Sequence, residues 1–266
     1  MFQRIRRTLV LASCVLGMSL AAIGAAQAQG ALADIMAAKQ IKIGIPTDFP
    51  PYGFVGADMQ PQGLDVEMGQ YIGEKLGVKV ELIAVTSPNR IPYLQTKRAD
   101  LIISTLGKSP DREKVIDFTA AYAPFFSAVY GPKSMSIKTF ADLAGKSVSV
   151  TRGAFEDIDL TKMAPPETDI KRFEDNNATV SAFVSGQANL IATGASVAES
   201  MMQRNPQLNT EYKLLTRLSG CYIGVPKGED ALRNKINEII AAGIKNGDLE
   251  KLSQKWLKRG LGDLPG

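Results

Sequence analysis

In the first part of the chain, segments with the hydrophobic spacing of a strand alternate with segments that have the spacing of a helix. In some segments apolar and polar residues alternate, as in a half-buried strand, and in others apolar residues recur every three or four positions, as on a helix face. The helical spacing ends at Gly77, a residue suited to a left-handed C-terminal cap. The predicted strands are 41–45, 78–84 and 99–104, and the predicted helices are 31–39, 63–76 and 88–96. This order favours an α/β unit with a mainly parallel sheet.

A second series of the same kind begins after Lys146. Its predicted strands are 147–150, 169–173 and 188–192, and its predicted helices are 155–163 and 176–185. Two extended stretches, Tyr122–Tyr130 and Gly220–Pro226, are predicted to cross between two lobes as a hinge. A helical tail from Leu232 to Leu257, broken at Gly247, is expected to pack on the first lobe. The predicted lobes are 29–126 with 222–266, and 127–221.

The N-terminus has the pattern of a secretory signal. Three arginines precede an apolar run from Thr8 to about Ala26, and the small residues at 26–28 form a cleavage site. We expect residues 1–28 to be removed on export to the periplasm. Two alternatives remain. The apolar run is close to the ~20 residues of a membrane anchor, and Leu11–Cys14 resembles a lipid-attachment site in which Cys14 would be lipidated.

Composition narrows the function classes. The chain has 266 residues, a formal net charge of +4 and no histidine. The mature chain would have 28 basic and 27 acidic residues, and therefore no basic face for nucleic acid. The lack of histidine excludes Ser-His-Asp triads, Cys-His dyads and imidazole metal sites. The sequence has no glycine-rich nucleotide-binding loop, and Cys221 would be the single cysteine of the mature chain. We expect no cofactor and no metal.

The loop from Ser104 to Arg112 carries the clearest candidate chemistry. It combines hydroxyl groups, the Gly107 amide and the Arg112 guanidinium, and it follows a predicted strand. Open α/β sheets bind ligands at the carboxyl ends of their strands. A guanidinium makes two parallel charge-assisted hydrogen bonds with a carboxylate, and hydroxyl and amide donors satisfy the remaining lone pairs. The loop therefore suits a carboxylate ligand, and the alternative is a surface arginine at a helix start.

Two motifs resemble those of a known family. Gly63–Met68, followed by Ile72, Gly73 and Leu76, resembles the signature of the bacterial extracellular solute-binding proteins, family 3. Asp100–Thr119 resembles the strand, turn and arginine of the same family, and the likeness extends from about residue 42 to 257. The resemblance implies a periplasmic-binding-protein type II fold, an α/β fold of two lobes joined by a two-stranded hinge with the ligand cleft between them.

The resemblance also implies roles for individual residues. Arg112 would bind the α-carboxylate of an amino acid, with help from Thr105 and the Gly107 amide. Phe49 would pack against the aliphatic part of the ligand. A second-lobe turn would complete the carboxylate site with backbone amides at a helix N-terminus. The residues of that turn are Gly153, Ala154 and Phe155.

A further segment, Thr86–Gln95, is similar to that of glutamate- and aspartate-binding members. In those proteins a serine and an arginine reach the side-chain carboxylate, and Ser87 and Arg90 have those positions here. The alternative is an exposed arginine at a helix N-terminus. Arg152, just before the second-lobe turn, is another candidate cation for the cleft.

One position departs from the family pattern. Amino-acid receptors of this family have an aspartate for the α-ammonium group where this chain has Gly194. A buried ammonium without a counter-charge is strongly unfavourable, so either another acid acts there or the ligand lacks an amine. The available acids are Glu156, Asp157 and Asp48. Pro46 also stands where receptors for acidic side chains often carry an arginine.

The resulting hypothesis is a monomeric periplasmic substrate-binding protein of an ABC importer. It would capture a small polar carboxylate, an acidic or polar amino acid, by hinge closure and dock on an inner-membrane ABC permease. One alternative is a receptor for an organic acid without an amine. The other is an exported enzyme similar to cyclohexadienyl dehydratase, with an acid or base among Glu156, Lys108 and Asp157, although the sequence shows no convincing catalytic arrangement.

Overall fold

The computed structural model describes residues 30–265, so the predicted signal segment and Cys14 lie outside the described residues. Within 30–265, no helix is long and apolar enough to cross a membrane. The helices are α1 Ala31–Ala38, α2 Leu64–Leu76, α3 Arg90–Gln95, α4 Pro110–Glu113, α5 Phe155–Met163, α6 Asn176–Val184, α7 Ala195–Arg204, α8 Asp230–Lys245 and α9 Asp248–Leu257. The strands are β1 Gln40–Pro46, β2 Asp48–Phe49, β3 Gly53–Val55, β4 Pro61–Gln62, β5 Lys79–Val85, β6 Leu101–Leu106, β7 Ile116–Pro132, β8 Ser147–Thr151, β9 Asp169–Phe173, β10 Leu190–Gly194 and β11 Thr210–Pro226.

Eight strands form one mixed sheet in the order β5-β1-β6-β11-β7-β10-β8-β9. The outer pairs on both sides are parallel, as the alternation of strands and helices predicted. The middle of the sheet is antiparallel. Strands β7 and β11 pair with each other in opposite directions, and they pair antiparallel with β10 and β6, respectively. The prediction of a mainly parallel sheet is therefore confirmed for the strands that alternate with helices, and the antiparallel pairs are those of the two crossing strands.

Strands β7 and β11 form the predicted crossing. Each has 17 residues, and they pair from Thr210 opposite Pro132 to Pro226 opposite Ile116. One end of this ribbon joins β6 through β11, and the other end joins β10 through β7. The ribbon thus belongs to both halves of the sheet, and two strands connect the halves.

The hydrophobic cores divide in the same way. One cluster joins Ile43 and Met68 to Ile236 of α8, which confirms that the C-terminal helices pack on the first half. Another joins Val129 and Leu190 and lies in the second half. We propose the lobe limits predicted from the sequence, 29–126 with 222–266 and 127–221, because nearly every member of each core lies on one side of them.

Most predicted elements agree with the structure to within a few residues, and α5 and β9 agree at both ends. Gly77 has the predicted left-handed conformation, with φ 68°. Sequence reasoning missed the small sheet β2-β3-β4, whose strands have two or three residues and no measurable period. It also missed α7, the helix that follows β10 directly.

Candidate functional site

A small cavity lies between the lobes, at the carboxyl ends of β1 and β6 and the N-termini of α5 and α6. Its lining is mostly polar and charged. The first lobe contributes Pro46, Asp48, Phe49, Val85, Ser87, Arg90, Ser104, Thr105, Arg112 and Phe125, and the second contributes Ala154, Phe155, Glu156 and Asn176. Seven of the eleven predicted site residues are in this lining: Phe49, Ser87, Arg90, Thr105, Arg112, Ala154 and Phe155. Their roles toward a ligand stay predictions.

Arg112 reaches the cavity from a short helix capped by Ser109, whose hydroxyl accepts the Arg112 amide. The side chain is buried. Its Nη1 donates to the Gly107 carbonyl at 3.0 Å, and its Nη2 donates to the Gly153 carbonyl of the other lobe at 2.8 Å. Burial and the neighbouring Arg90 lower the pKa of Arg112 to about 9, so it stays cationic at neutral pH. Of its five N–H groups, three have no acceptor among the described residues and are free for an anion.

Arg90 is only 4 % exposed, unlike the exposed arginine of the alternative interpretation. Its Nε donates to the Ser87 carbonyl at 3.2 Å and its Nη1 to the Ser104 carbonyl at 2.7 Å. Burial lowers its pKa to about 10. Within residues 30–265, neither Arg90 nor Arg112 has a carboxylate within ion-pair distance, although most other arginines there pair with one. The cavity therefore holds two cations that lack anionic partners.

Thr105 lines the cavity in a left-handed conformation, with φ 44°. Its amide donates to Asp65 at 3.0 Å, and the Tyr122 hydroxyl donates to the other carboxylate oxygen at 2.7 Å. Burial raises the pKa of Asp65 to about 7. The Asp65 carboxylate thus positions the binding loop from behind. The sequence signature contains Asp65, but nothing in the pattern indicated its contact with Thr105, which is 40 residues away in the sequence.

Gly107 lies beside the cavity rather than in its lining, where the two lobes touch. A Cβ atom at this position would lie 1.6 Å from the Phe155 ring, so only glycine permits this approach. The Phe155 ring is stacked between two guanidinium groups, with Arg112 at 4.5 Å and Arg217 at 4.0 Å from its centroid. Arg217 is paired with Asp159 and was not identified from the sequence.

The predicted second-lobe turn contains a left-handed glycine, with φ 68° at Gly153. The Gly153 amide donates to Asp157 at 3.0 Å, and the Ala154 amide donates to the Thr151 carbonyl at 3.1 Å. Both amides therefore have protein acceptors in this conformation. Their predicted part in a carboxylate site stays a prediction that requires a rearrangement of the turn.

Arg152 is exposed on the outside of the second lobe. Its Nε donates to Glu174 at 2.7 Å, and it is not in the cavity lining. The structure therefore places this candidate cation away from the cleft. A single arginine next to a turn gives no sign in the sequence of the side to which it points.

Gly194 ends β10 opposite an aromatic pair of the first lobe. A Cβ atom here would lie 2.9 Å from Cζ of Phe49 and 3.3 Å from Cε2 of Phe125. The ring of Phe49 thus occupies the space that a larger side chain at this position would need. An aspartate at position 194 would not fit without moving Phe49.

The three substitute acids have different surroundings. Asp157 accepts from Arg172 at 2.7 Å and from the Gly153 amide. Asp48 accepts from the amide of Asn176 at 2.6 Å and from its Nδ2 at 3.1 Å, which joins the two lobes a second time. Glu156 is 5 % exposed and lines the cavity, and its Oε1 has no hydrogen-bond partner among residues 30–265. Burial raises the pKa of Glu156 to about 7, although Arg90 and Arg112 act in the opposite direction.

Two lobes on a two-stranded crossing, with a charged cavity between them, define a solute-binding protein. The chain belongs to the bacterial extracellular solute-binding proteins, family 3, whose model matches residues 41–259. It is similar to the ABC transporter arginine-binding protein 1 of Escherichia coli (strain K12), with 27 % identity over 83 % of this chain and 91 % of that protein.

Solved structures show the same likeness. The solute receptor for L-cysteine of Neisseria gonorrhoeae has 30 % identity and a TM-score of 0.80, over 87 % of this chain and 95 % of that one. An ancestral amino-acid-binding protein, described as a precursor of cyclohexadienyl dehydratase, has 27 % identity and a TM-score of 0.76, over 85 % of this chain and 99 % of that one. The proposed fold class is therefore confirmed.

Proposed function

We propose that this protein captures a small polar carboxylate, an acidic or polar amino acid, and presents it to an ABC permease of the inner membrane. One observation carries the proposal: the buried Arg112 guanidinium lies between the lobes, bonds to both, and has no carboxylate partner among the described residues. A buried guanidinium bonded only to carbonyls gains most from an anionic ligand.

Binding and closure are coupled in this arrangement. The contacts between Arg112 and Gly153 and between Asp48 and Asn176 exist only while the lobes are together. A ligand that bridges the lobes shifts the equilibrium toward this closed form, which the permease would recognise. Neither ligand binding nor closure of the lobes requires a chemical reaction.

A melting-temperature screen of the purified protein tests the proposal. The panel holds the protein amino acids, L-cystine and small dicarboxylates, and a ligand at 100 times its Kd raises stability by about 2.7 kcal/mol. A rise with an amino acid or another small carboxylate supports the proposal. If no compound raises the melting temperature, the proposed ligand class is refuted. If the largest rises come from organic acids without an amine, the alternative of an organic-acid receptor is favoured.

The same preparation tests the enzyme alternative. Lys108 and Asp157, two of the three acid–base candidates, are already engaged: Lys108 lies over the Tyr222 ring at 4.2 Å, and Asp157 pairs with Arg172. These contacts support a binding protein. Turnover of prephenate or arogenate by the purified protein would overturn this part of the proposal.

Export can be tested on the intact precursor. Expressed with its N-terminus in a Gram-negative host, the chain should appear in the periplasm with Gln29 as its first residue. A membrane-bound product that begins at a lipidated Cys14 would support the lipoprotein alternative instead, and a retained N-terminus would support the anchor.

A further inference from the structure

We propose that Glu156 binds the α-ammonium group of the ligand, in place of the acid that the family carries at the position of Gly194. This inference rests on the proposed function and sharpens it, because it requires a ligand with an amine. The ligand class is then an α-amino acid rather than an organic acid.

The first support is the position of the side chain. Glu156 is in the first turn of α5, at the wall of the cavity opposite the first lobe, and it is almost fully buried. One carboxylate oxygen has no hydrogen-bond partner among the described residues. A buried polar atom without a partner is unfavourable, and native proteins rarely keep one without a reason. An ammonium group in the cavity would supply an N–H donor to this oxygen.

The second support is the state of the competing acids. Both oxygens of Asp48 accept hydrogen bonds from Asn176, and Asp157 accepts from Arg172 and from a backbone amide. Both of these carboxylates therefore already have donors within the protein. Position 194 is closed to a carboxylate by the Phe49 ring. Of these acids, Glu156 is the one with a buried carboxylate oxygen that has no donor among the described residues.

The third support is charge balance. The cavity lining holds two guanidinium groups, Arg90 and Arg112, and two carboxylates, Asp48 and Glu156. Asp48 accepts hydrogen bonds from Asn176, and Glu156 has an oxygen without a donor among the described residues. A ligand with two carboxylates and one ammonium would pair both guanidinium groups and Glu156. A dicarboxylate without an amine would leave the Glu156 carboxylate buried and unpaired beside two new negative charges, which is unfavourable. The charges therefore favour a ligand with an amine over a dicarboxylate without one.

The experiment compares each amino acid with the same molecule without its amine, by isothermal titration calorimetry at pH 7.5. The pairs are L-glutamate with glutarate, L-aspartate with succinate, L-glutamine with 4-carbamoylbutanoate and L-arginine with 5-guanidinopentanoate. For at least one pair, wild-type protein should bind the amino acid about a hundredfold more tightly, the range expected when one partner of a buried charge pair is removed. Equal affinity within every pair that binds would overturn the inference without use of any variant.

Two variants assign the effect to a residue. Glu156→Gln keeps the shape of the side chain and removes its charge, so the preference for the amine should fall below about tenfold. Asp48→Asn is the matched control: it removes the other cavity acid, weakens both members of a pair through the contact with Asn176, and should leave their ratio unchanged. A ratio that Glu156→Gln leaves intact, or that Asp48→Asn abolishes, would contradict the assignment. If wild-type protein binds none of the compounds of the melting-temperature screen, the proposed function itself fails, and this inference fails with it.

Discussion

Nη2 of Arg112 lies 2.8 Å from the carbonyl oxygen of Gly153, and these two residues belong to different lobes. Through Nη1 the same guanidinium holds the Gly107 carbonyl of its own lobe. One side chain therefore serves as the proposed carboxylate anchor and as a link across the cleft. Ligand affinity and lobe closure should respond together when it is changed.

Arg112→Ala is expected to weaken every carboxylate ligand by about a hundredfold or more, whether or not the ligand has an amine, because the carboxylate loses a charged donor in a desolvated site. Calorimetry with the ligand found in the screen measures the loss. Arg98→Ala is the control, since Arg98 is exposed on the same lobe and stacks on Tyr93 at 4.1 Å. It should bind as wild type does. Retained affinity in Arg112→Ala would remove this residue as the anchor.

Gly194→Ala should impair closure rather than folding. The added methyl would lie 2.9 Å from the Phe49 ring, and these residues face each other across the cleft. Overpacking of this kind is unfavourable by about 1–3 kcal/mol, so affinity should fall roughly tenfold while the melting temperature without ligand changes little. In a Phe49→Leu background the same alanine should have a smaller effect, because the nearest ring atom is gone and only the contact with Phe125 at 3.3 Å remains.

Gly69→Ala is the matched control for that experiment. Its added methyl would meet Ile43 at 3.5 Å, an ordinary contact inside the first lobe. Affinity should therefore stay at the wild-type value. A large fall in the melting temperature of Gly194→Ala without ligand would instead show that the clash acts within the folded lobe.

Local patterns predicted most of the fold. Helix α5 and strand β9 were correct at both ends, because their turns and apolar spacing are visible within about ten residues. The two crossing segments were predicted too short, because the length of β7 and β11 depends on how these distant segments pair with each other. A pairing between residues about 100 positions apart leaves no local signal.

The site was predicted to a similar extent. Arg90 and Arg112 were identified from loop chemistry and resemblance, and both are in the cavity. Arg152 was also proposed, and it points outward to Glu174, because a side chain's direction is set by neighbours that one sequence does not show. The free oxygen of Glu156 could be recognised only in three dimensions, since it is defined by partners that are absent nearby.

Arg90→Ala should change ligand preference more than overall affinity. If Arg90 meets a side-chain carboxylate, the variant should reduce the preference for L-glutamate over L-glutamine by about tenfold or more. The ratio is the useful measurement, because Arg90 also holds the carbonyls of Ser87 and Ser104, and its loss should lower stability and weaken all ligands alike. Equal loss for both amino acids would contradict the acidic-ligand interpretation.

The last prediction concerns pH. The pKa of Glu156 is raised to about 7, mainly by burial, so its carboxyl is largely protonated at pH 6 in the closed form without ligand. An ammonium group requires the carboxylate, and binding must then release the proton. Affinity for an amino acid should therefore rise about tenfold between pH 6 and pH 8 and level off above pH 8, where the carboxylate is already formed.

The effect of Glu156 on the pH dependence must be distinguished from the effects of other titratable groups near it. The charged and titratable groups that face it or share its cavity are Arg90, Arg112, Asp48, Asp159 and Tyr130. The pKa values of Arg90 and Arg112 are about 10 and about 9, and that of Tyr130 is raised by burial, so all three keep their protons between pH 6 and pH 8. Asp65, behind Thr105, has a pKa of about 7 and would titrate in the same interval.

Glu156→Gln therefore decides the origin of the pH dependence. Calorimetry at pH 6, 7 and 8, in two buffers with different ionisation enthalpies, measures both affinity and the protons released. In the variant the affinity should become flat and proton release should vanish, because glutamine does not titrate. A pH dependence that survives in Glu156→Gln would assign it to Asp65 instead. It would also show that the carboxyl of Glu156 does not ionise when the ligand binds.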